Sequence, residues 1–100
     1  SLEDVALGPL LHETATLVRQ QAEPVGVRIE VGAAADAAIV RADRTRLRQV
    51  LLNLLSNAVK YNRRGGGVRL GLVPAGEALW RIEVEDDGAG LDEGQIARLF

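Results

Sequence analysis

Cysteine is absent from these 100 residues. That excludes disulfide frameworks, thiolate metal sites and cysteine nucleophiles, and it fits a reducing compartment. Aromatic residues are nearly absent, with one Trp, one Tyr and one Phe, so the core must be built from Leu, Val, Ile and Ala. No apolar run approaches the roughly 18 residues of a membrane span, and no basic, apolar, small-residue sequence at the start suggests a signal peptide. An excess of one charge is missing too. The 12 basic and 14 acidic residues leave a net charge of −2, which argues against a broad nucleic-acid-binding face. What is present is 47% hydrophobic and 26% charged, the mixture of a globular chain rather than a disordered tail. The length allows one small domain or a piece of a larger one, burying only about 60–68% of its unfolded surface.

Periodicity divides the chain into elements. Gly8-Pro9 reads as a helix start, since proline near the first helical position loses no hydrogen bond. Leu10, Thr14, Leu17, Val18 and Ala22 then recur at helical spacing until Pro24 and Gly26 stop the run. Val27 to Val31 alternates as a half-buried strand, and Ile39-Val40-Arg41 is a second short one. Asp43 can cap a long helix on which Leu47, Val50, Leu51, Leu54, Leu55, Ala58 and Val59 keep the helical template. After the glycines at 65–67, Val68, Leu70 and Leu72 alternate, and a turn near Pro74 leads to a second alternating run from Trp80 to Glu85. These two form a hairpin. Asp92 with Gln95 makes a capping-box signature, which predicts the start of a last helix. The order predicts an α/β two-layer sandwich.

Two features break their own local pattern. By the period of two, Asp86 belongs to the apolar face of its strand, where a carboxylate needs a donor partner. Asp87-Gly88-Ala89-Gly90 follows at once, and its glycines permit close backbone approach. The string suits a planar amine-bearing heterocycle, and it equally suits an acidic residue closing a turn. On the long helix, Arg46, Asn53, Asn57 and Lys60 fall within about 60°, beside Val50. Asparagine is a poor interior helix residue, so two of them one turn apart do not serve the helix. Amide oxygens can ligate a hard cation, and Lys60 supplies charge for phosphate; the bland alternative is a solvated face. Tyr61 either stacks on a base or closes the core.

Taken together and in this order, the two features resemble the catalytic ATP-binding domain of sensor histidine kinases, in the gyrase/Hsp90/histidine-kinase/MutL superfamily. Residues 44–61, ending Leu51-Leu52-Asn53-Leu54-Leu55-Ser56-Asn57-Ala58-Val59-Lys60-Tyr61, look like that family's N box. Val84-Glu85-Asp86-Asp87-Gly88-Ala89-Gly90-Leu91 looks like its first glycine box, and Ala97-Arg98-Leu99-Phe100 like the entry to its phenylalanine box. The resemblance runs over the whole chain. It implies the Bergerat-type ATP-binding fold, incomplete at the C-terminus because the lid, the second glycine box and the closing strand and helix would follow. It implies ATP and Mg2+ as ligands, with Asn57 on the metal and Asn53 alongside. Lys60 would contact phosphate, Tyr61 would pack near the nucleotide, and Asp86 would accept the adenine amine with Gly88 and Gly90 giving room. The ATP-hydrolysing branch carries a glutamate base at the position of Asn53, so the likeness is to the kinase branch.

The implied partners are a dimerisation domain bearing the phosphoacceptor histidine and a downstream response regulator. Nucleic acid and membrane are not implied as contacts of this segment, and the location is cytoplasmic even where the parent is an inner-membrane sensor. His12-Glu13 imitates an acceptor site, but no proline follows at the expected distance. His12 also lies opposite Leu10 and Leu17, on the outer side of its helix, so it is read as an exposed histidine. The missing cover predicts weak ATP binding, no catalysis by the chain alone, and self-association through uncovered strands. A non-enzymatic interaction module that keeps the fold is the competing reading. A DNA-binding helix, prompted by Arg41, Arg44, Arg46 and Arg48, fails on net charge and on the lack of a closely following helix.

Overall fold

A computed structural model describes residues 2–32, 38–74, 76, 80–86 and 95–99, with residues 86 and 95–99 given as backbone positions. In chain order the elements are β1 (Glu3–Ala6), α1 (Leu7–Ala22), β2 (Arg28–Val31), β3 (Ile39–Ala42), α2 (Arg44–Lys60), β4 (Gly67–Pro74), β5 (Trp80–Asp86) and β6 (Gln95–Leu99). One 3₁₀ turn, Glu23–Val25, separates α1 from β2.

Helix α1 carries Pro9 in its first turn and ends just before Pro24. Its buried stripe is Leu7, Leu10, Leu11, Thr14, Ala15, Val18 and Ala22, the spacing of a core-facing helix. The Thr14 hydroxyl is fully buried and donates back to the carbonyls of Leu10 and Leu11, at 3.1 and 3.0 Å, so it carries no unpaired polar group. Leu17, expected in the stripe, sits at its border and stays 38% exposed. Helix α2 begins as expected, with the Asp43 carboxylate accepting the Arg46 amide at 3.2 Å. It buries Leu47, Leu51, Leu55, Ala58 and Val59.

The main sheet has the order β2-β4-β5-β6. β2 runs parallel to β4, which requires a crossover, and α2 lies within that crossover. β4 and β5 form the expected antiparallel hairpin, from Val68 opposite Asp86 to Pro74 opposite Trp80. α1 packs on β2, and α2 packs on β4 and β5. Ile29, Val68, Leu70, Leu72, Ile82 and Val84 meet the helices in one core, while Glu30, Arg69 and Glu85 are exposed. This is the α/β two-layer sandwich. The helices run parallel, since Glu13–Arg48 and Gln21–Ser56 are both contacts across 35 residues.

Three features depart from the sequence reading. β1 was not anticipated, and it pairs antiparallel with β3 in a separate two-stranded ribbon, from Glu3 opposite Ala42 to Ala6 opposite Ile39. Three of the four arginines around the start of α2 have carboxylate partners: Arg44 and Arg48 both reach Glu13, at 3.1 and 2.7 Å, and Arg41 reaches Asp4 at 3.3 Å. The third departure concerns the predicted last helix. Residues 95–99 form β6, antiparallel to β5 from Trp80 opposite Leu99 to Val84 opposite Gln95; Asp92 itself lies outside the described residues. Against β5 the backbone groups of residues 95–99 join a ladder that already exists.

Candidate nucleotide site

The flank of α2 turned away from α1 is open. Arg46, Val50, Asn53, Asn57 and Lys60 are all exposed along it, Val50 at 46% although its periodicity had placed it in the core. The cause is angular. Val50 lies one turn from both Arg46 and Asn53, at the edge of the apolar stripe, and no described element covers that edge. The sequence-predicted residues Asn53, Asn57 and Lys60 therefore share one solvent-facing stripe, with Tyr61 following at the helix end. Asn53 Oδ1 accepts from Gln49 Nε2 at 3.1 Å, one turn back, which orients its amide. Tyr61 is 62% exposed, so it does not close the core. Its ring lies 5.4 Å from Lys60 Nζ, a cation–π contact that holds the two side chains together.

Asp86 ends β5, the strand on which α2 packs, and stands opposite Val68 of β4. Its side chain, and both Gly88 and Gly90, lie outside the described residues. The structure thus brings Asn53, Asn57, Lys60 and Tyr61 onto one face and sets the end of the glycine-box strand in the sheet beneath their helix.

The donor chemistry can be tested against a magnesium ion. Among the described residues no group of three His, Cys, Asp or Glu is placed to hold a metal. The stripe offers two neutral carboxamide oxygens and one ammonium. Magnesium commonly takes one or two protein oxygens when phosphates and waters supply the rest. The residues fit a cation that arrives with an anionic ligand. Neither amide can accept a proton from water, so this face can position and neutralise but not act as a base.

Sequence reasoning missed a second concavity, on the α1 side of the last turn of α2. It is a groove of about 490 Å³ that borders the amide stripe, its walls including Gln21, Val27 and Arg64 together with Asn57 and Lys60 of the predicted set. No local pattern announces it, because its walls come from four separate stretches of chain.

Comparison with known proteins bears on the whole arrangement. The profile of the histidine kinase-, DNA gyrase B- and HSP90-like ATPase family matches residues 42–100. The adaptive-response sensory kinase SasA of Synechococcus sp. (strain CC9311) is 39% identical over 74 residues, covering 74% of this chain and 19% of its own length. The non-motile and phage-resistance protein of Caulobacter vibrioides is 35% identical over 102 residues, covering 98% of this chain and 11% of its own. Among solved structures, a histidine kinase from Burkholderia phymatum STM815 superposes with a TM-score of 0.78 at 30% identity, over 88% of this chain and 40% of that one. The histidine kinase ThkA, solved in complex with the response regulator protein TrrA, shares the fold with a TM-score of 0.76 at 24% identity, over 92% of this chain and 27% of its own. The chain spans a fifth or less of the two curated relatives. The family profile covers α2 with its amide stripe, the β4–β5 hairpin and the glycine box, and on that ground the chain belongs to the histidine kinase-, DNA gyrase B- and HSP90-like ATPase family.

Proposed function

We propose that the chain is the ATP-binding catalytic module of a sensor histidine kinase, holding Mg-ATP for phosphoryl transfer to a histidine on a separate dimerisation domain. The observation that carries this reading is the exposed row of Asn53, Asn57 and Lys60 on α2, polar residues that no packing requirement explains. Phosphoryl transfer depends mainly on positioning and on offsetting charge, which amides and an ammonium can do without a base. Asn57 holds the metal, with Asn53 oriented beside it by Gln49. Magnesium held there would offset the negative charge of the phosphates. Lys60 contacts phosphate, Tyr61 packs against the nucleotide, Asp86 accepts the adenine amine, and Gly88 and Gly90 let the ring approach the backbone. A downstream response regulator is the partner that the ThkA complex suggests. A cytoplasmic location fits such a module, and among the described residues no helix is long and apolar enough to cross a membrane.

Amide NMR of the chain during titration with Mg-ADP tests the reading, with Asp86→Asn as the control. Expected are shifts at Asn57, Lys60 and Asp86 that disappear in the variant and weaken when EDTA removes the metal. A well-dispersed spectrum that does not change up to millimolar Mg-ADP would overturn it in favour of an interaction module.

A further inference from the structure

The groove of about 490 Å³ lies where the end of α1, the 3₁₀ turn and the last turn of α2 converge. Its size falls within the ~300–1,000 Å³ of ordinary ligand pockets. Val25, Val27 and Val59 give it an aliphatic lining, and Lys60 and Arg64 give it positive charge, with amide side chains such as Asn62 between. Among the described residues no carboxylate lines it, although the chain as a whole carries a net charge of −2. The basic groove is therefore a local feature and not a consequence of composition.

Arg64 lies across the turn that carries Gly26. Its guanidinium donates to the Pro24 carbonyl at 3.4 Å, and its stem crosses Gly26 so closely that a Cβ there would lie 2.8 Å from Arg64 Cγ. Gly26 adopts a φ of 71° and accepts the Gly65 amide at 2.8 Å, which ties the two backbone stretches together beneath the arginine. Val25, on the same turn, is 47% exposed.

We propose that this groove binds a short acidic segment of a partner protein, with an aliphatic side chain on the valines and a carboxylate against Lys60 and Arg64. A bare inorganic anion would satisfy the cations and leave Val25 wet, since Val27 and Val59 are already buried. A purely apolar segment would leave both cations without a partner. An acidic, aliphatic peptide satisfies both sets. Asn57 and Lys60, assigned above to the nucleotide, also line the groove, whereas Val25 and Arg64 lie outside that assignment and report on the groove alone.

The test uses a fluorescently labelled hexapeptide of alternating glutamate and leucine, followed by anisotropy against the whole chain. A lysine–leucine hexapeptide and inorganic triphosphate serve as comparators. Expected is binding of the acidic peptide alone, weakening as salt rises. Arg64→Glu and Val25→Ser each weaken it about tenfold, the size of one lost charged or apolar anchor. Arg41→Glu, on the β1–β3 ribbon, leaves it unchanged, and circular dichroism verifies that each variant is folded. The proposal is overturned by no binding at millimolar chain, by equal binding of the lysine peptide, or by indifference to both groove variants. Triphosphate binding that Arg64→Glu weakens and Val25→Ser leaves unchanged would also overturn it, by marking a phosphate site in the groove itself rather than at Asn57 and Lys60.

Discussion

Asp43 ties a pH dependence to one hydrogen bond. Its carboxylate accepts the Arg46 amide, and that bond is the main reason its pKa lies below the ordinary 3.8. A carboxyl held lower in the folded state than in the unfolded chain stabilises the fold above the unfolded value. That contribution is lost as pH falls from 3.8 through the lowered folded value. Asparagine caps helices as well as aspartate does but does not titrate. Asp43→Asn is therefore expected to stay close to the parent at neutral pH and to flatten the acid limb of its stability curve, read by thermal unfolding between about pH 2 and 6. An acid limb identical to that of the parent would remove Asp43 from the account. Gly26 makes a different prediction. At φ 71° with Arg64 overhead, Gly26→Ala meets both a left-handed backbone and a side-chain clash, for an expected loss of about 1–2 kcal/mol in urea unfolding. Both residues were legible in the sequence, one as a cap and one as a helix stop. Glu13 was not legible as the partner of Arg44 and Arg48, because a pairing across some thirty residues leaves no local trace.

At the scale of elements, what could be read depended on how local the determining contacts are. Helices α1 and α2 and the β4–β5 hairpin follow from spacings within single stretches, and they emerged close to their observed bounds. β1 did not, since Glu3-Asp4-Val5-Ala6 buries only Val5 fully and is a strand because β3, far along the chain, supplies its ladder. The same kind of reason turned residues 95–99 from an expected helix into β6, whose conformation depends on the edge of β5. Periodicity also gives a residue's angle on a helix but not what stands opposite, hence the exposure of Val50. Edges matter for association as well. The amides of Arg28 and Gly32 point from β2 to β4, so the Ile29 carbonyl between them points to the open edge, where Arg19 donates to it at 3.3 and 3.1 Å. An arginine occupying an edge acceptor obstructs the pairing of another strand. Arg19→Ala is expected to raise the dimer fraction of the chain in sedimentation velocity at equal concentration. An unchanged distribution would place any self-association on another surface.

For the whole molecule, the residues that build the fold and those assigned to the nucleotide separate cleanly by burial. Leu51 and Leu55 are fully buried, and truncating either to alanine is expected to cost about 2–5 kcal/mol whether or not ligand is present. Asn57 sits on the same helix with its side chain in solvent. Asn57 was legible because it breaks the helical pattern within a single stretch, whereas the groove at the end of α2, which Asn57 and Lys60 also line, was not, because its other walls come together only in the fold. If the stripe serves magnesium and nucleotide, Asn57→Ala should do the reverse of Leu55→Ala. Surface substitutions remote from packing usually change stability by no more than about 0.5 kcal/mol, so the melting temperature of the ligand-free chain should barely move. A ligand that binds only the folded state adds about 2.7 kcal/mol when present at a hundred times its dissociation constant. The parent chain is therefore expected to melt several degrees higher with saturating Mg-ADP, and Asn57→Ala to lose most of that rise. If the variant keeps the full rise, or loses it equally with ADP in the absence of metal, Asn57 is not the magnesium ligand. In the first case the contact falls to Asn53, whose orientation by Gln49 would then be what sets metal affinity.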